Sequence, residues 1–123
     1  MEVILDTSFI ISCLKKKIDF MKDLKELGFK IIVPREVIQE LKDLNQRSGQ
    51  PREEKAAIGV ALEIFSSKDV NKVGFGEGKV DEILIKKGIE GAYIATLDRG
   101  IKRKIKNRVV IIDAKNSIGI ERE

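Results

Sequence analysis

The chain has 123 residues, 42% of them hydrophobic, one cysteine and no histidine. Without histidine there is no Ser-His-Asp triad, no imidazole general base and no imidazole-ligated metal, and one cysteine makes neither an intrachain disulfide nor a zinc site. Charged residues make up 36% of the chain, 24 basic against 20 acidic, and the net +4 and pI near 9.2 are compatible with a polyanionic partner. The same richness in Lys and Glu also suits a heat-stable surface that needs no partner. No apolar run approaches the ~20 residues that span a bilayer. The start, Met-Glu-Val, lacks a basic region followed by an apolar one, so the expectation is a cytoplasmic protein with no membrane partner. Cys13, on an apolar helix face, reads as a small packed hydrophobe in a reducing compartment.

In chain order, residues 2–5 form an apolar, β-branched strand closed by Asp6. Helices are expected over 7–14 and 18–28, the second stopped by Gly28. A second strand, 30–33, ends at Pro34, which suits the start of a helix over 35–47 because a proline there loses no helical hydrogen bond. After a turn at Ser48-Gly49-Gln50-Pro51 comes a helix over 53–67, a weak strand over 69–73 and a glycine loop over 74–78. A helix over 79–87 is expected to break between Gly88 and Gly91. A strand over 92–96, a helix over 98–107 and a strand over 109–112 follow, with a short edge piece at Ile118-Gly119-Ile120. Strands alternate with helices and no hairpin signal such as Asn-Gly joins two strands. The expectation is a single α/β domain over 1–123, with about five parallel strands covered on both faces.

Asp6 and Asp98 each follow a strand and precede a helix, which places both at the carboxyl edge of a parallel sheet, where open α/β folds keep their chemistry. Either residue is equally at home as a helix N-cap. On the helix over 35–47, Glu40 falls about 40° from Leu44 at the border of the apolar arc, closer to the core than Glu36 or Asp43. Asp81 lies inside the arc of Val80, Ile83, Leu84 and Ile85, so it is expected to be buried and to need a cation or several donors. Asp113 follows a strand but precedes a turn-like stretch and reads as structural.

Four stretches resemble the PIN-domain ribonucleases: Ile4-Leu5-Asp6-Thr7-Ser8, Val33 to Leu41 with Glu40, Val80-Asp81-Glu82-Ile83-Leu84, and Ile94 to Ile105 with Asp98. The last is especially similar to the small archaeal and ribosomal-RNA-processing members. The resemblance implies a Rossmann-like, three-layer αβα fold and an acidic pocket that binds Mg²⁺ or Mn²⁺ and cleaves RNA. It puts the four acids on Asp6, Glu40, Asp81 and Asp98, with Ser8 and Thr96 as small polar supports. It also implies a homodimer, and either an antitoxin partner or a partner in RNA processing.

Hydrolysis of a phosphodiester needs an activated water and neutralisation of the phosphate's charge, which divalent ions held by carboxylates supply without histidine. In this reading Asp6, Asp81 and Asp98 hold metal, and Glu40 completes the cluster or orients water. Arg99, Lys102 and Arg103, just after Asp98, are the candidate phosphate contacts, with Lys104 and Lys106 beside them and Lys15-Lys16-Lys17 as a second cluster. A solvated helix face is the plainer account of these cations. Few aromatics are free to stack bases. Gly74-Phe75-Gly76-Glu77-Gly78-Lys79 is no phosphate loop, because Val80 stands where Ser or Thr is required and the spacing is wrong. Two other readings stand beside the nuclease: a non-catalytic module binding RNA or protein, and a receiver-like domain, disfavoured because only Asp6 follows the first strand.

Overall fold

The structure, a computed structural model, describes residues 1–67 and 70–122. Six strands make one sheet: β1 (Glu2–Leu5), β2 (Lys30–Pro34), β3 (Asn71–Val73), β4 (Tyr93–Ala95), β5 (Arg108–Ile112) and β6 (Ser117–Glu121). Their spatial order is β3-β2-β1-β4-β5-β6. All neighbours are parallel except β5 and β6. The strand order therefore turns around between β1 and β4, and a crevice opens there at the carboxyl ends of the strands.

Six helices cover the sheet: α1 (Thr7–Lys15), α2 (Phe20–Glu26), α3 (Arg35–Gln46), α4 (Arg52–Phe65), α5 (Val80–Ile89) and α6 (Arg99–Lys102). Alternating strand residues divide the core in two. Val3, Leu5, Ile31, Val33, Tyr93 and Ala95 point to the face packed by α1 to α4, where Phe9, Phe20, Leu24, Leu41, Ile58 and Phe65 are buried. Ile4, Ile32 and Ile94 point to the other face, against Leu84, Ile101 and Ile105. One face is thus thick and the other thin. Cys13 is fully buried on the thick side and its thiol is pushed up to about 12, chiefly by burial and then by Asp23, so it behaves as the inert hydrophobe expected.

Several sequence expectations are corrected. The five parallel strands expected are present, but the short edge piece expected at 118–120 is a sixth, full antiparallel strand. The β5–β6 hairpin uses no Asn-Gly turn. Asp113–Lys115 form one 3-10 turn and Asn116 closes it in the left-handed conformation, φ 47°. The helix expected over 79–87 spans Val80–Ile89, continuing past Gly88. Gly88 is buried, and a Cβ there would lie 2.5 Å from Ile105 Cγ2, so it marks a close approach. The break comes at Gly91, φ +115°. The helix expected over 98–107 stops after Lys102, and the guanidinium of Arg108 donates to the carbonyls of Lys102 and Ile105. The weak strand expected over 69–73 is seen as 71–73, and Asp69 lies outside the described residues. Among the described residues no helix is long and apolar enough to cross a membrane.

Candidate active site

Asp6 ends β1 and caps α1. Its Oδ1 accepts from the Thr7 N–H at 2.9 Å and its Oδ2 from the Thr96 hydroxyl at 2.7 Å. The same Thr96 oxygen accepts from the Asp98 N–H at 3.1 Å, so one buried hydroxyl joins the ends of β1 and β4. Ser8 Oγ accepts from the neighbouring Leu97 N–H at 3.2 Å. Asp98 caps α6 with its Oδ1, 3.1 Å from the Ile101 N–H. Both aspartates are therefore N-caps, and both also line the crevice between β1 and β4.

Glu40 reaches the crevice from α3. Its Oε2 accepts from the Thr7 hydroxyl at 2.7 Å, and Thr7 is buried. Sequence reasoning missed Thr7; the signal was there, because a polar residue directly after the capping acid faces inward across α1. Asp81 enters from the first turn of α5. It is exposed, contrary to the expectation of burial. The apolar arc of α5 is real, with Leu84 fully buried, but the first turn lies at the rim of the core, where Val80 is only half-buried.

Asp6, Glu40, Asp81 and Asp98 thus come from four elements to line one cleft of about 500 Å³, together with Thr7, Ser8, Ile11, Leu44, Val80 and Leu97. Burial raises the Asp6 carboxyl above its ordinary range, and the negative charges of Glu40 and Asp81 raise it further, against the hydrogen bonds from Thr96 and Thr7. Among the described residues no three acids stand close enough to cage an ion directly. Thr96 does not line the cleft but supports Asp6 from behind.

The expected basic residues are arranged differently. Arg99, Lys102 and Arg103 follow Asp98 without lining the cleft. Lys104 and Lys106 line a separate hollow with Ile89 and Arg122, near the start of β5. Lys15 and Lys16 are paired with Glu54 and Asp113, so the second cluster is largely neutralised by neighbours. Four of the five phenylalanines are buried and Phe75 is half-buried, in line with the expected scarcity of stacking surfaces.

Comparison with known proteins agrees with the fold. The chain resembles the solved structure of the PIN domain endonuclease Utp24 with a TM-score of 0.76 and 22% identity, over 99% of this chain and 92% of that one. No curated protein matches it. The family model described as a PIN like domain matches residues 3–115, and by that match across most of its length the chain belongs to the PIN-like domain family.

Proposed function

We propose that the protein is a divalent-metal-dependent endoribonuclease whose cleft carboxylates, Asp6, Glu40, Asp81 and Asp98, form the active site. The observation that carries this reading is their convergence from four elements on one cleft where the strand order turns around. Family membership supports a nuclease-type role, and RNA as substrate follows from the sequence resemblance.

The donor set fits Mg²⁺ or Mn²⁺. All donors are hard carboxylate oxygens, and their mutual repulsion at Asp6 is what a cation relieves. Mg²⁺ keeps several waters and takes one or two carboxylates, so a cleft that does not cage it with three acids still suits it. When bound, such an ion acidifies water and neutralises phosphate charge. The chain's own contribution is orientation. Thr96 fixes Asp6, and Thr7 fixes one Glu40 oxygen and leaves the other to position water. Asp98 uses one oxygen on its cap and keeps the second for ion or solvent. Arg99, Lys102 and Arg103, on the segment leaving Asp98, hold the RNA backbone outside the cleft.

A second reading is a non-catalytic module that binds RNA or protein, which the presence of all four acids in the cleft argues against. One experiment separates the two: incubation of a structured and an unstructured RNA with Mn²⁺, Mg²⁺ or EDTA, using wild type and Asp6→Asn. Cleavage that needs metal and is lost in Asp6→Asn supports the nuclease. RNA binding by both proteins with no cleavage by either supports the binding module.

A further inference from the structure

A second groove lies on the other side of α3, outside the acidic cleft. It is about 620 Å³ in volume and is framed by α3, the end of α4 and β3. Among the described residues its charged lining is all of one sign: Arg35 and Lys42 from α3 and Lys72 from β3. None of the three forms an ion pair among the described residues, whereas Lys15, Lys16, Lys30 and Arg108 all do. The floor is aliphatic and aromatic carbon from Ile38, Leu62 and Phe65. Ile38 and Leu62 are only half-buried, so apolar surface remains open to solvent there. Gln39, also on the wall, is held by Asp43 through a 3.0 Å hydrogen bond.

β3 adds a further feature. It is one of the two edge strands, among the described residues bonded only to β2, and all three of its residues are exposed. An outer strand edge offers backbone donors and acceptors to an extended chain.

We propose that this groove docks an extended acidic segment of a partner protein, one that mixes Asp or Glu with aliphatic side chains. The carboxylates answer Arg35, Lys42 and Lys72, and the aliphatic side chains cover Ile38 and Leu62. A nucleic acid fits less well. Its bases gain most from open aromatic faces, and the one aromatic ring lining the groove among the described residues, Phe65, is 2% exposed. The inference does not depend on the cleavage reading, because among the described residues none that lines the groove lines the acidic cleft.

The test uses fluorescein-labelled peptides alternating Glu with Leu, Glu with Ser, or Lys with Leu, and a labelled single-stranded RNA, titrated with wild type and with Lys42→Glu/Lys72→Glu. Wild type binds the Glu-Leu peptide, and binds Glu-Ser at least about tenfold more weakly. The double variant loses at least about tenfold for Glu-Leu and gains affinity for Lys-Leu, a swap that a misfolded protein would not show. RNA cleavage by the variant stays at the wild-type level. The proposal is overturned if wild type does not bind Glu-Leu, if the double reversal leaves that binding unchanged, or if the reversal weakens RNA instead. It is also overturned if wild type sediments as a dimer and the variant as a monomer, since the groove's occupant is then a second copy.

Discussion

Asp6 and Glu40 belong to the thick side of the sheet, Asp81 and Asp98 to the thin side. The first pair is wired into buried hydroxyls: Thr96 donates to Asp6 and Thr7 to Glu40. On the thin side, the Asp98 carboxylate caps its own short helix while its backbone N–H rests on Thr96, and Asp81 stands exposed on the first turn of α5. Four helices bury their stripes on the thick side and two on the thin side. The lesson is that one cleft contains two kinds of acid. One kind accepts from a buried hydroxyl before any ligand arrives, and the other lacks that tie and is free to adjust to one.

The largest expected effect comes from the fixed pair. Asp6→Asn lowers the metal-dependent cleavage rate by about a hundredfold or more, the range for removing a preorganised electrostatic group. Asp81→Asn costs about tenfold by the same principle and is partly restored by more Mn²⁺, because a mobile ligand is easier to replace with water. Rates measured across a Mn²⁺ titration check this, and equal losses that no metal level restores would erase the distinction.

Next comes the thin side's packing. Ala is about 1 kcal/mol better than Gly inside a helix, so Gly88→Ala ought to stabilise α5 on propensity alone. Its Cβ instead meets Ile105 at 2.5 Å and Ile94 at 3.2 Å. Overpacking of this kind costs about 1–3 kcal/mol, so the net expectation is lower stability in urea unfolding. A stabilised variant would mean that the segment around Ile105 gives way freely.

Thr7→Val keeps the shape and removes the hydroxyl that holds Glu40. The expected loss is about 1 kcal/mol of stability, together with a cleavage defect that Thr7→Ser rescues. The smallest effect is on the pH dependence of folding. The Asp6 carboxyl is raised in the folded state above the ordinary value of 3.8, so the folded protein holds that proton more tightly than the unfolded chain. Its ionisation therefore removes stability as the pH climbs from about 3.8 through the folded value. In EDTA, the melting temperature of wild type relative to Asp6→Asn falls across that window, and Mg²⁺ reverses the difference.

Much of this arrangement was legible in the chain. Asp6 and Asp98 were readable because an acid after an apolar strand and before a helix has only one edge of a parallel sheet to occupy. Glu40 was singled out by its angle on α3 and does line the cleft, but it is exposed, whereas Glu36, expected to point further away, is half-buried and accepts from the Phe75 N–H. What escaped depends on where elements end in space. The helical period that put Asp81 among apolar neighbours cannot say that the first turn of α5 lies at the core's rim. Ile101 and Ile105, both inside the helix expected over 98–107, are buried. Yet the chain tightens, with the Lys104 N–H donating to the Ile101 carbonyl at 3.0 Å, and Arg108 closes the end. Arg108 reaches carbonyls three and six residues back from the start of β5, a contact that helical periodicity does not announce. The β5–β6 hairpin escaped because its reversal uses Asn116 after a 3-10 turn in place of a two-residue loop.

The register of β1 on β4 has a consequence for how this chain tolerates change. Leu5 pairs with Ala95, so Asp6 and Thr96 are the next neighbours across the ladder, and the Asp6 N–H donates to the Ala95 carbonyl at 2.9 Å. Their separation is set by the spacing of adjacent strands, about 4.8 Å, and not by any loop. The sheet therefore acts as a ruler for residues ninety positions apart. Segments inserted at Ser48 to Pro51 or in the glycine loop can lengthen the chain while that ruler keeps its graduation.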